Sequence, residues 1–339
     1  MTSLSVLHID TALEWRGGQQ QLVYLAEGMR ARGHRVRVAT PPTSALATRL
    51  DPEIEQVAIG VGWSPRTAWT LRSLARSGGV DVFACHTATG HSLMALLGLP
   101  AVVHRRVDFE VGGNAWSRWK YKRALHFVAV SAGVSRVLAG GGVDASAIDV
   151  VFDGVPPLVA RGGAPDLVRQ RPLVGAVGAL VDHKAHHLLV SAMADLPGVE
   201  CVIVGEGPLR DALQAQIEAL ELSDRVQLLG YREDIAAVIA AFDLFVHPSV
   251  EEGMGQVVVE AMGLGCPVLV SSAGGLPEVV GETSTPFLAG DVGSLSDSIA
   301  GRLRVRGDVE AARVRAQTCF SVDQMVEGTI DVYQRLVAT

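Results

Sequence analysis

The feature that most constrains the fold of this chain is an alternation of short runs rich in β-branched residues with longer helical stretches. Such alternation is typical of parallel sheets whose strands are joined by crossover helices. In the first half it predicts five strands, at residues 6–9, 36–39, 80–84, 101–104 and 127–130. Glycine stop signals end two of the predicted helices, at Gly33 after residues 19–32 and at Gly78 after residues 66–77.

A second series of the same kind follows residues 156–165, whose prolines and glycines predict a linker. Its strands are predicted at residues 173–177, 200–204, 226–229, 244–247 and 268–270. We therefore expect two doubly wound α/β domains, over residues 1–158 and 166–320. Ligands of such folds bind at the carboxyl ends of the strands, so both domains are expected to contribute to one cleft. Apolar residues at helical spacing predict a final helix within residues 321–336.

The composition is that of a folded globular protein. Apolar residues make up 48% of the 339 positions and charged residues 19%, enough for two cores of ordinary size. The sequence has neither an apolar run of membrane-spanning length nor a start resembling a signal peptide, which predicts a cytoplasmic protein. The four cysteines are too scattered for a paired framework and are predicted to be buried free thiols.

Charge is divided unevenly along the chain. Residues 1–160 carry a net charge of +4 and residues 161–339 carry −11. The basic half is therefore the better candidate for contact with an anionic acceptor or a membrane surface. The acidic balance of the whole chain and the absence of a recognised binding module argue against a nucleic-acid partner.

The segment from Glu252 to Glu260 places two carboxylates around a glycine-rich loop and the start of an apolar helix. The loop residues Gly253, Met254 and Gly255 can bring backbone N–H groups close to an anion, and the helix dipole points its positive end the same way. Glu260 lies about one turn inside the helix, where it can reach a pair of ribose hydroxyls. The segment favours a nucleotide-sugar site, and the alternative is an ordinary loop-to-helix junction.

The sequence around this segment resembles a known family. The run from His247 to Val270 reads HPSVEEGMGQVVVEAMGLGCPVLV, and residues 274–278 follow as GGLPE. Together they resemble the donor-site signature of the retaining GT-B glycosyltransferases of family 4. Further segments agree in the same order over essentially the whole chain, namely Gly17-Gly18, His86, Ser131, Asp153-Gly154-Val155, Lys184 and Gly205-Glu206-Gly207.

This resemblance implies a GT-B fold, with two Rossmann-like domains facing a central cleft and a C-terminal helix, residues 321–339, that packs back on the first domain. It implies transfer of a sugar, with retention, from a nucleoside diphosphate sugar, with UDP- or GDP-linked sugars the expected donors. No cofactor or metal is expected, and no Asp-x-Asp pair stands at a strand end to hold one. The expected acceptor is a carbohydrate or a lipid-linked molecule.

The first half supplies three candidate site residues. Gly17 and Gly18 precede a predicted helix start, where backbone N–H groups can approach a phosphate or sugar. By resemblance, His86 is the histidine that faces the transferred sugar. The alternatives are a plain tight turn for the two glycines and a structural role for the histidine.

Lys184 is the main cation expected to act on the donor. It follows the first strand of the second half and is the only lysine there, where an ammonium can neutralise the leaving diphosphate. Members of the family commonly carry an arginine after Gly178, but this chain has Ala179. Either Lys184 acts alone, or His183 or an arginine from elsewhere shares the task.

The remaining roles are carried over from the resemblance. Gly178 and Gly205 are expected to line the cleft, and Tyr231 and Arg232 to hold the base, largely through their backbone. Glu252 and the glycine loop after it are expected to position the sugar, and Glu260 the ribose. The residues expected to be catalytic are His86, Lys184 and Glu252.

Residues 114–123 combine four cations with three aromatic side chains. Such a stretch favours an anionic acceptor or peripheral contact with the inner face of a membrane, which suggests cell-envelope polysaccharide, lipopolysaccharide or glycolipid synthesis. The alternative is that the aromatic side chains pack on the sheet while the cations are solvated.

Three other functions stay open at this point. A glycosidase would need two carboxylates facing each other across a glycosidic bond. A sugar-nucleotide epimerase of the same shape would need no acceptor. A protein that binds the nucleotide sugar without transferring it is suggested by Ala179.

Overall fold

The computed structural model describes residues 3–167, 171–305 and 307–338. These form two compact units. The first comprises the chain up to Gly154 together with the segment from Ser321 onward, and the second comprises Val155–Phe320. Each unit is built on its own parallel sheet.

Within the described residues, the sheet of the first unit has seven parallel strands in the order β3-β2-β1-β4-β5-β6-β7. They are β1 Ser5–Ile9, β2 Arg35–Thr40, β3 Glu55–Ala58, β4 Val82–Cys85, β5 Val102–Arg105, β6 His126–Ala129 and β7 Ile148–Val150. All five strands expected from the sequence are present. The two that were not expected, β3 and β7, are the short edges of the sheet, where side chains are half-buried or exposed and the apolar signal is weak.

Helices fill the connections, and the last helix of the chain belongs to the same unit. They are α1 Gly17–Ala31, α2 Pro65–Arg76, α3 Ala88–Leu97, α4 Ala115–Tyr121, α5 Ala132–Gly140 and α13 Val322–Ala338. Thr87, Asn114 and Ser131 each accept a hydrogen bond from a backbone N–H in the first turn of the helix that follows. Ser131 is therefore a helix cap.

The C-terminal helix α13 packs on α1. Met325, Val326, Ile330 and Tyr333 are buried in the core between this helix and the sheet. The contact is close, because a Cβ added to Gly28 on α1 would lie 2.5 Å from Cγ2 of Val326.

The first part of this unit ends at Gly154, in a turn that is held by α1 and α13. Gln21 exchanges two hydrogen bonds with the backbone of Gly154, of 2.9 and 3.0 Å. A Cβ added to Gly154 would lie 2.6 Å from the Cα of Val322. The glycine is required there because two backbones meet.

In the second unit, the described residues form a parallel sheet of five strands in the order β10-β9-β8-β11-β12. They are β8 Leu173–Val177, β9 Glu200–Val204, β10 Val226–Gly230, β11 Leu244–His247 and β12 Val268–Val270. The helices are α6 His186–Ala192, α7 Arg210–Ala219, α8 Ile235–Ala240, α9 Gln256–Gly263, α10 Leu276–Val280, α11 Val292–Arg304 and α12 Val309–Cys319. All five strands were expected from the sequence, and the expectation of two doubly wound α/β units is confirmed.

Both sheets reverse their chain order at one point, between β1 and β4 in the first unit and between β8 and β11 in the second. Helices leave such a switch point on opposite faces of the sheet, which opens a crevice at the carboxyl ends of the two strands. His86 follows β4 in the first unit. Gly178 follows β8 and His247 ends β11 in the second. The candidate residues therefore lie where a doubly wound sheet binds its ligands.

Gly28 and Val326 allow a test of the contact between α1 and α13. We expect Gly28→Ala and Val326→Ala to be coupled, because the new methyl group occupies the space that the valine side chain vacates. The free energy of unfolding of the double variant should be about 1 kcal/mol higher than the sum of the two single effects predicts. Tryptophan fluorescence during urea unfolding reports this unit selectively, since all five tryptophans lie before residue 154. If the effects of the two substitutions on the free energy of unfolding were additive, the close contact between Gly28 and Val326 would be contradicted.

Candidate functional site

The loop after β8 brings Lys184 next to Glu252. Lys184 lies in a 3₁₀ turn, Asp182–Lys184, which ends at Ala185 with a φ of +51°. The N–H of Val250 donates a hydrogen bond of 2.9 Å to the carbonyl of His183, which joins this loop to the one after β11. The Lys184 ammonium donates to Oε2 of Glu252. Two residues that the sequence separates by 68 positions therefore form an ion pair.

The same carboxylate oxygen of Glu252 accepts further hydrogen bonds. His247 Nε2 lies 2.8 Å from it and the Ser249 hydroxyl 3.4 Å. Burial alone would raise the pKa of Glu252, but the hydrogen bond from His247 and the Lys184 ammonium outweigh it and hold the pKa well below its usual range. Glu252 is therefore ionised at neutral pH.

His247 is a fixed neutral donor in this group. Its side chain is 1% exposed, and burial lowers the pKa of the imidazole. A neutral ring that donates from Nε2 to Glu252 carries no proton on Nδ1. His247 and Ser249 belong to the run that resembles the family signature, but the sequence contained no signal that their side chains would hold the carboxylate.

Glycines bring two loops of this unit together backbone to backbone. Gly205 has a φ of +145°, and a Cβ added to it would lie 2.0 Å from the carbonyl oxygen of Gly178. A Cβ on Gly207 would lie 2.4 Å from the carbonyl oxygen of Leu180. Any larger residue would push the loops after β8 and β9 apart, and with them the turn that carries Lys184.

The loop before α9 presents backbone donors. Gly255, with a φ of +83°, is the N-cap residue of this helix, and Gly253 and Met254 are buried. The N–H groups of Gly253 and Met254 donate to no acceptor in the part of the chain that the structure describes. Together with the positive end of the α9 dipole, they favour an anion next to Glu252.

Glu260 lies on α9 and is partly buried. Burial raises the pKa of its carboxyl group to about 7. Among the described residues, none donates a hydrogen bond to this carboxyl group. A partly buried acceptor with no donor is suited to a ligand that brings hydroxyl groups.

Tyr231 and Arg232 follow β10. The Tyr231 side chain is 74% exposed. The Arg232 guanidinium donates to Asp166 at 2.6 Å and to Asp234 at 2.7 Å. Because these two carboxylates already hold the arginine, contact with a base through the backbone fits the structure better than contact through its side chain.

In the first unit, His86 is the centre of a buried polar network. Its Nε2 lies 2.9 Å from Nδ1 of His8, and its Nδ1 lies 3.1 Å from the guanidinium of Arg106. Arginine can only donate, so Nδ1 of His86 accepts and Nε2 donates to His8. Arg106 also donates to Asp153 at 2.8 Å. Both ring nitrogens of His86 therefore have partners within its own unit.

A second histidine pair completes this network. The ring of His104 stacks on His86 with centroids 4.4 Å apart, and His104 Nε2 lies 2.6 Å from the hydroxyl of Tyr333 on α13. Burial lowers the pKa of His8 to about 3 and that of the other two histidines well below the usual range. Sequence reasoning assigned no function to His8 or His104, because partners so distant in sequence leave no local pattern.

The start of α1 is open. The N–H groups of Gly17 and Gly18 donate to no acceptor among the described residues, and a Cβ on Gly18 would meet nothing within 4 Å. The preceding loop is held by Asp10, which accepts hydrogen bonds of 2.9 Å from the Ala12 N–H and from the Gln19 side chain. Asp10 was not expected from the sequence.

Two family models match the chain, and they fall on the two units. The model "Glycosyltransferase Family 4" matches residues 15–157, and "Glycosyl transferases group 1" matches residues 164–304. The chain belongs to glycosyltransferase family 4. The resemblance to family 4 seen in the sequence is therefore confirmed, and retention stays a prediction.

Solved structures show the same fold. The Anabaena protein Alr3699/HepE, crystallised with UDP, superimposes with a TM-score of 0.84 over 98% of this chain and 100% of its own, at 22% identity. The GT-B fold predicted from the sequence is thus confirmed.

Curated relatives match over part of their length. The 2-deoxystreptamine glucosyltransferase of Streptomyces kanamyceticus is 31% identical over 55% of this chain and 53% of its own. The D-inositol 3-phosphate glycosyltransferase of Mycolicibacterium paratuberculosis is 34% identical over 57% of this chain and 48% of its own. The chain thus spans about half the length of the curated relatives it matches.

The raised pKa of Glu260 predicts a pH-dependent effect on stability. The folded state, with a pKa of about 7, binds the proton more tightly than the unfolded chain, whose value is 4.5. Ionised Glu260 therefore destabilises the fold above pH 7, and this cost disappears as the pH falls to about 4.5. Glu260→Gln should stabilise the second unit by about 1–3 kcal/mol near pH 8 and by far less near pH 5.

Calorimetric unfolding at the two pH values measures this effect. Glu218→Gln, on the exposed side of α7, is the control and should change neither transition. A gain that is equal at both pH values would show that the Glu260 carboxyl group titrates normally.

Proposed function

We propose that this family 4 member is a retaining glycosyltransferase that moves a sugar from a nucleoside diphosphate sugar to an acceptor hydroxyl. The observation that carries the proposal is the ion pair of Lys184 and Glu252 beside the backbone N–H groups of the loop before α9, which have no acceptor among the described residues. Each part belongs to the switch point of the second sheet, where doubly wound folds bind nucleotides.

The donor would bind along α9. Its diphosphate is anionic, so it would lie against the Lys184 ammonium and the helix start. Glu260, about one turn further on, would accept hydrogen bonds from the ribose hydroxyls. The Anabaena neighbour was crystallised with UDP and with UDP-glucose, which makes a UDP-linked sugar the first donor to test, followed by a GDP-linked one.

The transfer step breaks the bond between the anomeric carbon and a diphosphate oxygen. The acceptor hydroxyl oxygen forms its bond to the same face of that carbon, and its proton passes to the departing diphosphate oxygen. Negative charge develops on the diphosphate as it leaves, and Lys184 stabilises that charge. No metal is proposed, because the ammonium and the backbone N–H groups supply the positive charge.

Glu252 would fix the sugar in this step. Because His247 and Ser249 hold one of its oxygens, the carboxylate has a set orientation toward the sugar hydroxyls. His86 would contact the sugar from the first unit. For this the ring would have to release His8 or Arg106 as a partner, or use a C–H edge.

For the acceptor, we propose a carbohydrate or lipid-linked molecule of the cell envelope. The support is the basic, aromatic character of residues 114–123 in the first unit. The two curated relatives are named for small acceptors, 2-deoxystreptamine and inositol 3-phosphate. An acceptor screen should therefore include small cyclitols beside lipid-linked sugars.

Calorimetric titration with UDP, GDP, ADP and CDP tests the donor site. One nucleotide should bind selectively, and Lys184→Ala should weaken its binding about 10- to 100-fold through loss of charge-assisted hydrogen bonds. Glu260→Ala should weaken nucleotide binding about tenfold.

Near pH 7, each nucleotide that binds should also release a fraction of a proton. Ribose hydroxyl groups that donate to Glu260 favour its ionised form, and the pKa of this carboxyl group is about 7 before binding.

Arg304→Ala and Glu218→Ala, both at exposed positions of the same unit, are matched controls for the two charges. They should bind the nucleotide as the wild type does. Binding that survives both site substitutions, or no binding of any nucleotide, would contradict the proposed site.

The stereochemistry and the metal requirement form a separate test. With an α-linked donor, the anomeric proton of the product should keep the small coupling constant of an α linkage in NMR spectra, and EDTA should leave the rate unchanged. An inverted linkage would exclude retention, and loss of activity that magnesium restores would exclude a metal-independent reaction. Free epimer formed without an acceptor would identify an epimerase instead.

A further inference from the structure

Four of the five tryptophans of this chain are exposed, and all four belong to the first unit. The exposed fractions are 54% for Trp63, 72% for Trp69, 46% for Trp116 and 36% for Trp119. Tryptophan normally buries its large apolar ring, and exposed tryptophans in a group mark an interaction surface.

Helix α2 arranges its exposed residues as a stripe. Trp69 lies between Arg66 and Arg72 at a spacing of three residues, and Arg76 continues the stripe one turn later. Thr67 and Leu71, on the opposite side of the helix, are buried. The outward face of α2 is therefore an exposed indole surrounded by guanidinium groups.

Helix α4 repeats this chemistry. Trp116 and Trp119 stack on each other with centroids 5.0 Å apart, and the Arg123 guanidinium lies 4.9 Å above the Trp119 ring. Tyr121 alone among these aromatic residues is buried, stacked on Phe127 of the sheet. The alternative that the aromatic side chains of residues 114–123 pack on the sheet is thus true of the tyrosine and wrong for the two tryptophans.

Helices α2, α3 and α4 lie side by side. Their crossovers run in the same direction along the sheet, so right-handed connections place all three on the same face, and α3 contacts both neighbours. We call the outward side of these helices, together with Trp63, the tryptophan face. Across α2 and residues 115–123 it carries seven cations and no carboxylate, although the whole chain has a net charge of −7.

Aliphatic residues extend the tryptophan face. Val61 is 55% exposed beside Trp63, and Leu96 is 45% exposed on α3, a helix without an acidic or basic side chain apart from the buried His91. A soluble polyanion would use the cations but would gain little from exposed valine and leucine. A lipid surface uses both, since tryptophan and aliphatic side chains enter the headgroup boundary while arginine and lysine contact anionic headgroups.

We propose that the tryptophan face docks on the surface of a bilayer that contains anionic lipids. The contact is peripheral, since none of the described helices has both the length and the apolarity needed to cross a membrane. The proposal extends the expectation for residues 114–123 to α2, which the sequence alone had not suggested. It does not depend on the transfer reaction, so the two proposals can fail separately.

Cosedimentation with vesicles of phosphatidylcholine, with and without phosphatidylglycerol, tests the docking. The wild-type protein should sediment with the anionic vesicles only, and rising sodium chloride should release it as the charges are screened. Its tryptophan fluorescence should shift to the blue on binding and be quenched by brominated lipid. No sedimentation with anionic vesicles at low salt would overturn the proposal.

Two sets of variants separate the charged and aromatic contributions. Replacing Arg66, Arg72 and Arg76 by glutamine should lower the vesicle partition coefficient about a hundredfold, at roughly fivefold per cation. Trp63→Ser with Trp69→Ser should lower it at least tenfold without changing the salt dependence. Arg304→Gln and Val305→Ser, at exposed positions of the second unit, are matched controls and should bind as the wild type does.

Thermal unfolding shows whether each variant is folded, and all the replaced side chains are at exposed positions. If the tryptophan variants had the same vesicle partition coefficient as the wild type, docking through the tryptophan face would be overturned. Equal binding of the wild-type protein to heparin and to anionic vesicles, unaffected by the tryptophan substitutions, would identify a soluble polyanion as the partner and reject the bilayer.

Discussion

The arrangement of the second unit depends on one largely buried negative charge. The carboxylate of Glu252 is only 15% exposed, and a charge in that position is stable only when it is paired and hydrogen-bonded. Lys184, in the turn after β8, and His247, at the end of β11, meet that requirement. Their hold on one oxygen fixes the 3₁₀ turn after β8 against the loop that leads into α9. The proposed donor-binding group is thereby held together by contacts within the second unit.

Glycine contacts determine where these loops lie. Gly205 and Gly207 allow the loop after β9 to touch the backbone of Gly178 and Leu180, and Gly255 allows the turn into α9. In the first unit the polar network is built differently, from neutral histidines around the buried ion pair of Arg106 and Asp153. One unit thus holds an ammonium and open backbone donors at its switch point, whereas the other holds His86 in one fixed tautomer.

Sequence patterns predicted the fold because the central strands of doubly wound sheets are continuous apolar runs, as β8 and β9 are. The edge strands β3 and β7 were missed because they are short and their side chains are half-buried or exposed. The signature run around Glu252 identified the neighbourhood of the proposed donor site. It could not show that Lys184 pairs with Glu252, or that both nitrogens of His86 are engaged, since these contacts join positions far apart in sequence. The exposure of Trp69 depends on how α2 lies on the sheet, which no local pattern encodes.

The central claim is that the switch point of the second sheet binds a nucleoside diphosphate. A crystal structure of the protein with its preferred nucleotide tests this most directly. The account predicts the diphosphate within hydrogen-bond distance of the Lys184 ammonium and the N–H groups before α9, with the ribose hydroxyls on the carboxylate of Glu260. A diphosphate bound away from Lys184, or a ribose that does not contact Glu260, would contradict it.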